Sequence, residues 1–298
     1  MRFSSEQIKA FEGVYSALLT PFDKHGDVSE EALRRLTDFQ LDAGLDGFFV
    51  CGSTGEGILL TTEERKRVAE IVVDQARDRG TVIVHVGHAS SAVSAELAAH
   101  AETIGADAIG SVPPIYYPLG IEEALYHYQI ITRASSLPFV AYNIPSLTSV
   151  GLSAGHLPRL LEMETFVGMK FTGYDLYEMQ GIAEALGDAG IVLSGSDQMS
   201  LPALLMGARG SIGSTHNIVP GKFVGVYRAY KDGDISTAKR LQEEINRLMR
   251  VVHRYGMPSR KAYLRRLGID CGVYRPPFKP LTDEQEREFF AEVDALGA

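Results

Sequence analysis

The sequence predicts an α/β protein, a (β/α)8 TIM barrel with a C-terminal helical extension. Three observations lead there. Short apolar runs rich in β-branched and aromatic residues alternate with longer stretches of helical periodicity, the pattern of repeated βα units around a parallel sheet. There are eight such runs, the number at which interior side chains just fill a closed barrel. Their starts lie 19 to 36 residues apart, room each time for one strand, one crossover helix and two short loops. A doubly wound open sheet uses the same units, but no Gly-rich dinucleotide fingerprint follows the first run.

In chain order the predicted strands cover residues 14–20, 46–51, 82–87, 107–112, 138–143, 166–172, 191–195 and 210–214. Between the first two, Ser29-Glu30-Glu31 supplies an N-cap and acidic first turn for a helix ending near Gly44. Thr61-x-x-Glu64 has capping-box form ahead of a helix running to about Arg79-Gly80. After the eighth strand, helical patterns at 220–230, 235–255, 258–267 and 282–296 exceed one barrel unit. They are assigned to the last barrel helix and a helical appendix, interrupted by a loop at 270–281 that holds Pro276, Pro277 and Pro280. The expected division is residues 1–230 for the barrel catalytic domain and 231–298 for the C-terminal helical region. No internal repeat or low-complexity tract interrupts this reading.

Composition bounds the function. The chain has 298 residues, 45% of them hydrophobic, enough for a large buried core. With 29 Lys+Arg against 38 Asp+Glu the net charge is −9, so no global field draws phosphate backbones or anionic lipid. Nucleic acid and membrane are therefore not expected partners. The N-terminal residues lack the basic head, apolar stretch and cleavage site of a secretory signal, and no apolar run nears the length of a membrane span. A cytoplasmic protein is expected. Cys51 and Cys271 lie far apart, which implies neither a disulfide framework nor a zinc site.

In a parallel barrel, catalytic groups gather at the C-terminal ends of the strands. Lys170 lies in the run Phe166-Val167-Gly168-Met169-Lys170-Phe171 at the end of strand six and, of nine lysines, is the only one with an apolar run on both sides. Desolvation disfavours an ammonium, and a neutral amine is a nucleophile suited to Schiff-base chemistry. The same context suits an interior lysine paired with a carboxylate, or one snorkelling to solvent. The loop Gly52-Ser53-Thr54-Gly55-Glu56-Gly57 offers backbone N–H and hydroxyl donors to a carboxylate or phosphate, or is simply a turn. It lacks the lysine and spacing of a nucleotide P-loop. Tyr142, next to last in strand five, suits either proton relay or packing. Gly195-Ser196-Asp197-Gln198 at the end of strand seven, with Ser214 and Thr215 ending strand eight, suits a polyhydroxylated ligand or loop capping. His85 and His88, three apart on a strand, would face opposite sides and cannot share a metal. No G-x-S-x-G elbow supports a serine hydrolase, and the eight histidines read as structural or solvated.

Taken together, GSTGE after strand two, Tyr116-Tyr117-Pro118 after strand four, Tyr142-Asn143-Ile144-Pro145 and Lys170-x-Thr172 resemble the dihydrodipicolinate synthase/N-acetylneuraminate lyase family of pyruvate-dependent class I aldolases. The likeness runs from about Gly13 to the Arg275-Pro276-Pro277-Phe278 region. It implies that Lys170 forms an imine with the keto carbon of pyruvate, and that Ser53 and Thr54, with the Gly52 turn, hold the pyruvate carboxylate. It implies a proton shuttle at Tyr142 and a Tyr116 lent across a tight dimer interface, within a homotetramer. No metal or organic cofactor is implied.

Within the family, synthases carry an arginine five residues after the tyrosine, where this chain has Leu147. Asp175-Leu176-Tyr177 and Gly213-Ser214-Thr215-x-Asn217 are more similar to sialate lyases, in which Thr172, Gly195, Asp197 and Ser214 match positions that bind the sugar chain. Sialate lyases place a glutamate where this chain has Gln198, so a related 2-keto-3-deoxy sugar acid is an alternative to N-acetylneuraminate. The resemblance thus implies reversible cleavage of such an acid to pyruvate and an aldehyde. The alternatives are synthase-type condensation with aspartate semialdehyde, dehydration through the same imine, and a non-catalytic sugar-acid sensor.

Overall fold

Eight parallel strands close into a barrel in a computed structural model that describes residues 2–148 and 150–297. They are β1 Gly13–Ala17, β2 Gly47–Val50, β3 Thr81–His85, β4 Ala108–Ser111, β5 Phe139–Asn143, β6 Phe166–Phe171, β7 Ile191–Ser194 and β8 Gly210–Gly213. Each pairs with its neighbours in sequence, and β1 pairs with β8 to complete the ring. All eight predicted strands are present, several of them shorter than their apolar runs. The reason is that the last residues of a run leave the ladder to build loops at the top of the barrel. Leu19 N–H donates to Asn217 Oδ1 at 3.0 Å and Thr20 Oγ1 to Gly55 O at 2.7 Å, while Cys51 turns the chain at φ 59°. β3 likewise stops at His85, and His88 lies in the following loop, so the opposite-face argument for that pair does not apply.

Alternation along the strands sorts side chains into two layers. Tyr15, Phe49, Ile83, Val140, Leu193 and Ile212 fill the interior. Their neighbours Phe48, Val84, Ile109, Phe139 and Val192 pack outward against the helices. Ser29 Oγ caps the helix Glu30–Asp42, and Thr61 and Glu64 form the capping box of Thr62–Ala76. That second helix stops three residues short of Arg79, because Arg77 leaves helical geometry at ψ 129° and Asp78 follows in the left-handed region at φ 61°. Past β8, the helices are Pro220–Lys231, Ile235–Tyr255, Pro258–Arg266 and Asp283–Ala295, and Ile235–Tyr255 packs against the first and the last of them. Among the described residues no helix is long and apolar enough to cross a membrane.

One irregularity aims the site. Phe139 pairs with Phe166, but Val140 pairs with Gly168, so β6 carries one extra residue there, a β-bulge. Val167 faces inward and Met169 outward. Without the extra residue, strict alternation would put Met169 inside and Lys170 against the helices. Gly168 is suited to the bulge because its φ is 155° and a Cβ there would sit 2.1 Å from Ile191 O.

Candidate active site

Because of that bulge Lys170 pairs with Tyr142 across β5 and β6, and both point into the top of the barrel. Lys170 is 3% exposed. Its Nζ lies 4.1 Å from the centroid of the Tyr142 ring and 4.3 Å from that of Phe49. Among the described residues it takes part in no ion pair, unlike the other deeply buried lysine, Lys261. Neither the carboxylate-paired nor the snorkelling arrangement is therefore found. The amine rests on aromatic faces, and no protein acceptor has to be displaced before a carbonyl carbon reaches it. Gly195 makes room beside it: a Cβ there would lie 1.8 Å from Thr172 Oγ1 and 3.2 Å from Lys170 Cε. Thr172 Oγ1 is buried and has no hydrogen-bond partner within the described residues, the condition of a group kept for a ligand.

His85 at the end of β3 completes this wall. Burial, with the nearby charges of Arg65 and Lys170, holds its pKa well below the ordinary value, so the ring is neutral. Its Nδ1 lies 3.1 Å from Cys51 O and its Nε2 accepts from Val112 N–H at 3.3 Å, contacts that require the proton on Nδ1. The ring thus ties the strand-two loop to the strand-four loop. Its role was invisible in the sequence, where a histidine in an apolar run carries no more signal than any buried side chain.

Two cavities flank this centre. One, of about 410 Å³, is lined by Thr172, Gly195, Asp197, Gln198 and Ser214, the predicted sugar-chain residues, with His253 of the C-terminal region opposite. The other, of about 310 Å³, is lined by Gly52 and Ser53 of the Gly-rich loop, with Ile58, Ile144, Leu147 and Phe278. Thr54 is buried in the same loop and Ser53 is exposed. Leu147 is 61% exposed at the rim of this apolar cavity, where it offers no charge to a substrate. Tyr116 stands apart from the other predicted residues: it is 90% exposed, φ is 85°, and its ring packs edge-on against Tyr117.

The Gly-rich loop owes its shape to the far end of the chain. Glu56, at φ 57°, accepts from Lys261 Nζ at 2.9 Å and from Arg275 N–H at 2.7 Å. Lys261 donates also to Val273 O at 3.1 Å and lies over the rings of Phe22 and Tyr274. Burial weighs against both charges, raising the Glu56 carboxyl and lowering the Lys261 ammonium, and their mutual attraction opposes it. The Arg275 side chain reaches Glu64 of the capping box, with Nη1 to Oε2 at 2.8 Å. Those hydrogen bonds hold the Glu64 pKa down to about 2 from its ordinary 4.5. A carboxyl whose folded pKa is depressed stabilises the fold fully above its unfolded pKa, and that contribution is lost as pH falls through the folded value. Stability is thus expected to decline between about pH 4.5 and pH 2. Arg275→Gln should shift the acid-unfolding midpoint, followed by circular dichroism, to higher pH; an unchanged midpoint would show that the pair contributes nothing.

Comparison with known proteins agrees with this geometry. The model of the dihydrodipicolinate synthetase family matches residues 10–296. The N-acetylneuraminate lyase of Salmonella paratyphi B is 39% identical over 279 residues, which is 93% of this chain and 94% of the relative. Among solved structures, N-acetylneuraminate lyase from Fusobacterium nucleatum superposes with a TM-score of 0.91 at 32% identity, covering 96% of this chain and 99% of that one. Dihydrodipicolinate synthase from Aquifex aeolicus gives a TM-score of 0.91 at 31% identity, covering 96% and 98%. With a family match over nearly its whole length, a closed eight-stranded barrel and a lysine at the end of β6, the chain belongs to the dihydrodipicolinate synthetase family.

Proposed function

We propose that the protein is a pyruvate-dependent class I lyase that reversibly cleaves a 2-keto-3-deoxy sugar acid, of the N-acetylneuraminate type, to pyruvate and an aldehyde. The observation that carries this reading is the buried, unpaired Lys170 amine lying against Tyr142. The lysine attacks the keto carbon and water leaves, giving a protonated imine. As the bond between C3 and C4 breaks, its electrons flow into the imine to form an enamine, and the C4 hydroxyl becomes the aldehyde carbonyl. Tyr142 carries the hydroxyl proton to C3 of the enamine, and hydrolysis then frees pyruvate and the amine. Ser53, Thr54 and the Gly52 backbone anchor the carboxylate, while Thr172, Gly195, Asp197, Gln198 and Ser214 receive the rest of the sugar chain. These steps are complete without a metal or organic cofactor.

The identity to lyases named for N-acetylneuraminate favours cleavage over the synthase reaction, and so does Leu147, since an arginine there would grip a second carboxylate bidentately. The test is pyruvate release from N-acetylneuraminate and from shorter keto-deoxy sugar acids, with the second product identified. Release of an aldehyde supports the proposal; loss of water without chain cleavage assigns a dehydratase, and efficient condensation with aspartate semialdehyde a synthase. We propose further that the protein works in the cytoplasm, as a homotetramer, the assembly that the family resemblance implies.

Gln198 refines the substrate. Its Nε2 donates to Tyr174 Oη, which leaves Oε1 as the acceptor for a tail hydroxyl. A charged acceptor makes the stronger bond, so Gln198→Glu is expected to raise kcat/KM for N-acetylneuraminate relative to shorter acids. A lowered ratio would mean that the tail is read elsewhere.

Tyr116, extended from its own subunit at strained φ, is lent to the relay of a neighbouring subunit. Tyr142→Phe and Tyr116→Phe are each expected to cut turnover roughly 10²-fold or more, the scale of general acid–base help. Mixing Tyr116→Phe with Lys170→Ala under subunit exchange should restore activity, because some sites then combine intact residues of two chains. No recovery despite proven exchange would place Tyr116 outside the relay.

A further inference from the structure

Behind the sugar-chain cavity, a buried carboxylate and a buried guanidinium, neither with a direct counter-ion, are bridged by one hydroxyl. Asp197 and Arg260 are each 4% exposed. Asp197 Oδ2 accepts from Ser214 Oγ at 3.2 Å and from Thr215 N–H at 2.7 Å. Arg260, from the helix Pro258–Arg266, donates through Nη2 to Ser214 Oγ at 3.2 Å and through Nη1 to Gly256 O at 3.5 Å, and its Nε has no partner within the described residues. Among those residues no carboxylate lies within salt-bridge distance of Arg260. The single ionisable neighbour of Asp197 at that range is His216, whose Nε2 is 3.7 Å from Oδ1. Burial keeps His216 neutral, with its proton on the Nδ1 that meets Tyr15 O at 2.7 Å. The histidine therefore supplies Asp197 with neither charge nor hydrogen.

The hydrogen inventory of this chain has one solution. A guanidinium only donates, an ionised carboxylate only accepts, and a serine hydroxyl has one hydrogen. Arg260 occupies a lone pair of Ser214, so the hydroxyl hydrogen goes to Asp197. Ser214, which forms the cavity wall in front of Arg260, is left with a free lone pair and no hydrogen to offer.

We infer that Arg260 is a positioning residue that orients Ser214 and Asp197 and so makes this wall of the sugar-chain cavity an acceptor surface. The inference rests on the lyase reading and deepens it. The wall takes groups that bring hydrogens, the hydroxyls of a polyol tail, and rejects a terminal carboxylate or phosphate, which would meet the lone pairs of Ser214 and Asp197. The guanidinium itself stays behind Ser214 and compensates the carboxylate through it.

The experiment compares kcat/KM for 2-keto-3-deoxygluconate, whose tail carries two hydroxyls, with that for 4-hydroxy-2-ketopentanoate, which has none. Arg260→Met is expected to lower the ratio of the two about tenfold, mainly through KM for the hydroxylated substrate, the scale of a charge-assisted hydrogen bond lost. Arg260→Lys, which keeps charge and donor, should retain most of the ratio. In a Ser214→Ala background Arg260→Met should have no further effect on it, since the arginine acts through that hydroxyl. Equal loss for both substrates, or multiplicative loss in the double variant, would overturn the inference by showing that Arg260 only supports the fold. If Arg260→Met does not fold, Arg260→Lys and Ser214→Ala carry the comparison: a collapsed ratio in the former or an unchanged one in the latter overturns it. Failure of the wild-type enzyme to form an imine with pyruvate overturns the lyase reading itself, whereas imine formation with an unmoved ratio in the Arg260 variants overturns the inference alone.

Discussion

Incubated with pyruvate and borohydride, the protein is expected to acquire one stable adduct, on Lys170. Reduction traps an imine as a secondary amine, and a lysine that is merely buried traps nothing. The chain holds an internal control, because Lys261 is as deeply buried as Lys170. Lys261 is bound to Glu56 Oε1 and Val273 O, so its nitrogen is held as a paired ammonium and has no free lone pair. Lys170 Nζ lies against the rings of Phe49 and Tyr142 and, among the described residues, has no ion-pair partner. The two lysines are therefore expected to differ in reactivity through the presence or absence of a counter-ion, not through burial. Lys170→Ala is expected to lower kcat/KM by about 10⁴-fold or more, the loss seen when a covalent nucleophile is removed, with the fold retained because the alanine leaves space among aromatic side chains. Peptide mapping that finds the adduct on Lys261, or finds none while cleavage persists, would sink the Schiff-base mechanism.

The second large effect is on stability. Lys261→Met is expected to cost roughly 3–5 kcal/mol, because it leaves the Glu56 carboxylate buried without its partner. In a chain of this size that is a fall in Tm of roughly 5–8 °C. The pair sits at the junction of two distant segments, the Gly-rich loop and the C-terminal helices, with partners 205 residues apart. Its loss should therefore also loosen the loop proposed to hold the pyruvate carboxylate, raising KM for pyruvate in the condensation direction. Adding Glu56→Gln to Lys261→Met should recover part of the Tm, since a neutral amide is cheaper to bury than an unpaired carboxylate. A Tm of Lys261→Met within about 2 °C of wild type, well below the shift expected for a broken buried pair, would show that solvent or another cation replaces the lysine. Recovery of Tm without recovery of KM in the double variant would separate loop shape from stability.

The local chemistry of the chain determined most of the scaffold. Eight apolar runs, two N-terminal caps and four helical patterns after the last strand are written in periods of two and 3.6 residues. The structure places elements at all of them because such periods depend only on neighbours in sequence. The anomaly at Lys170 was legible for the same reason: a cation in an apolar run at a strand end stands out whatever the rest of the chain does. Tertiary structure decided the remainder. Which face Lys170 takes depends on the bulge at Gly168, and that is a property of the ladder between β5 and β6, not of the β6 sequence alone. The strand ends fell short of their apolar runs because Leu19 and Thr20 found partners in Asn217 and Gly55. Lys261 with Glu56, and Arg260 with Ser214 and Asp197, join residues separated by tens to hundreds of positions. No periodicity carries such pairings, since a side chain's partner across the fold is chosen by the register, twist and closure of the whole barrel rather than by the residues beside it.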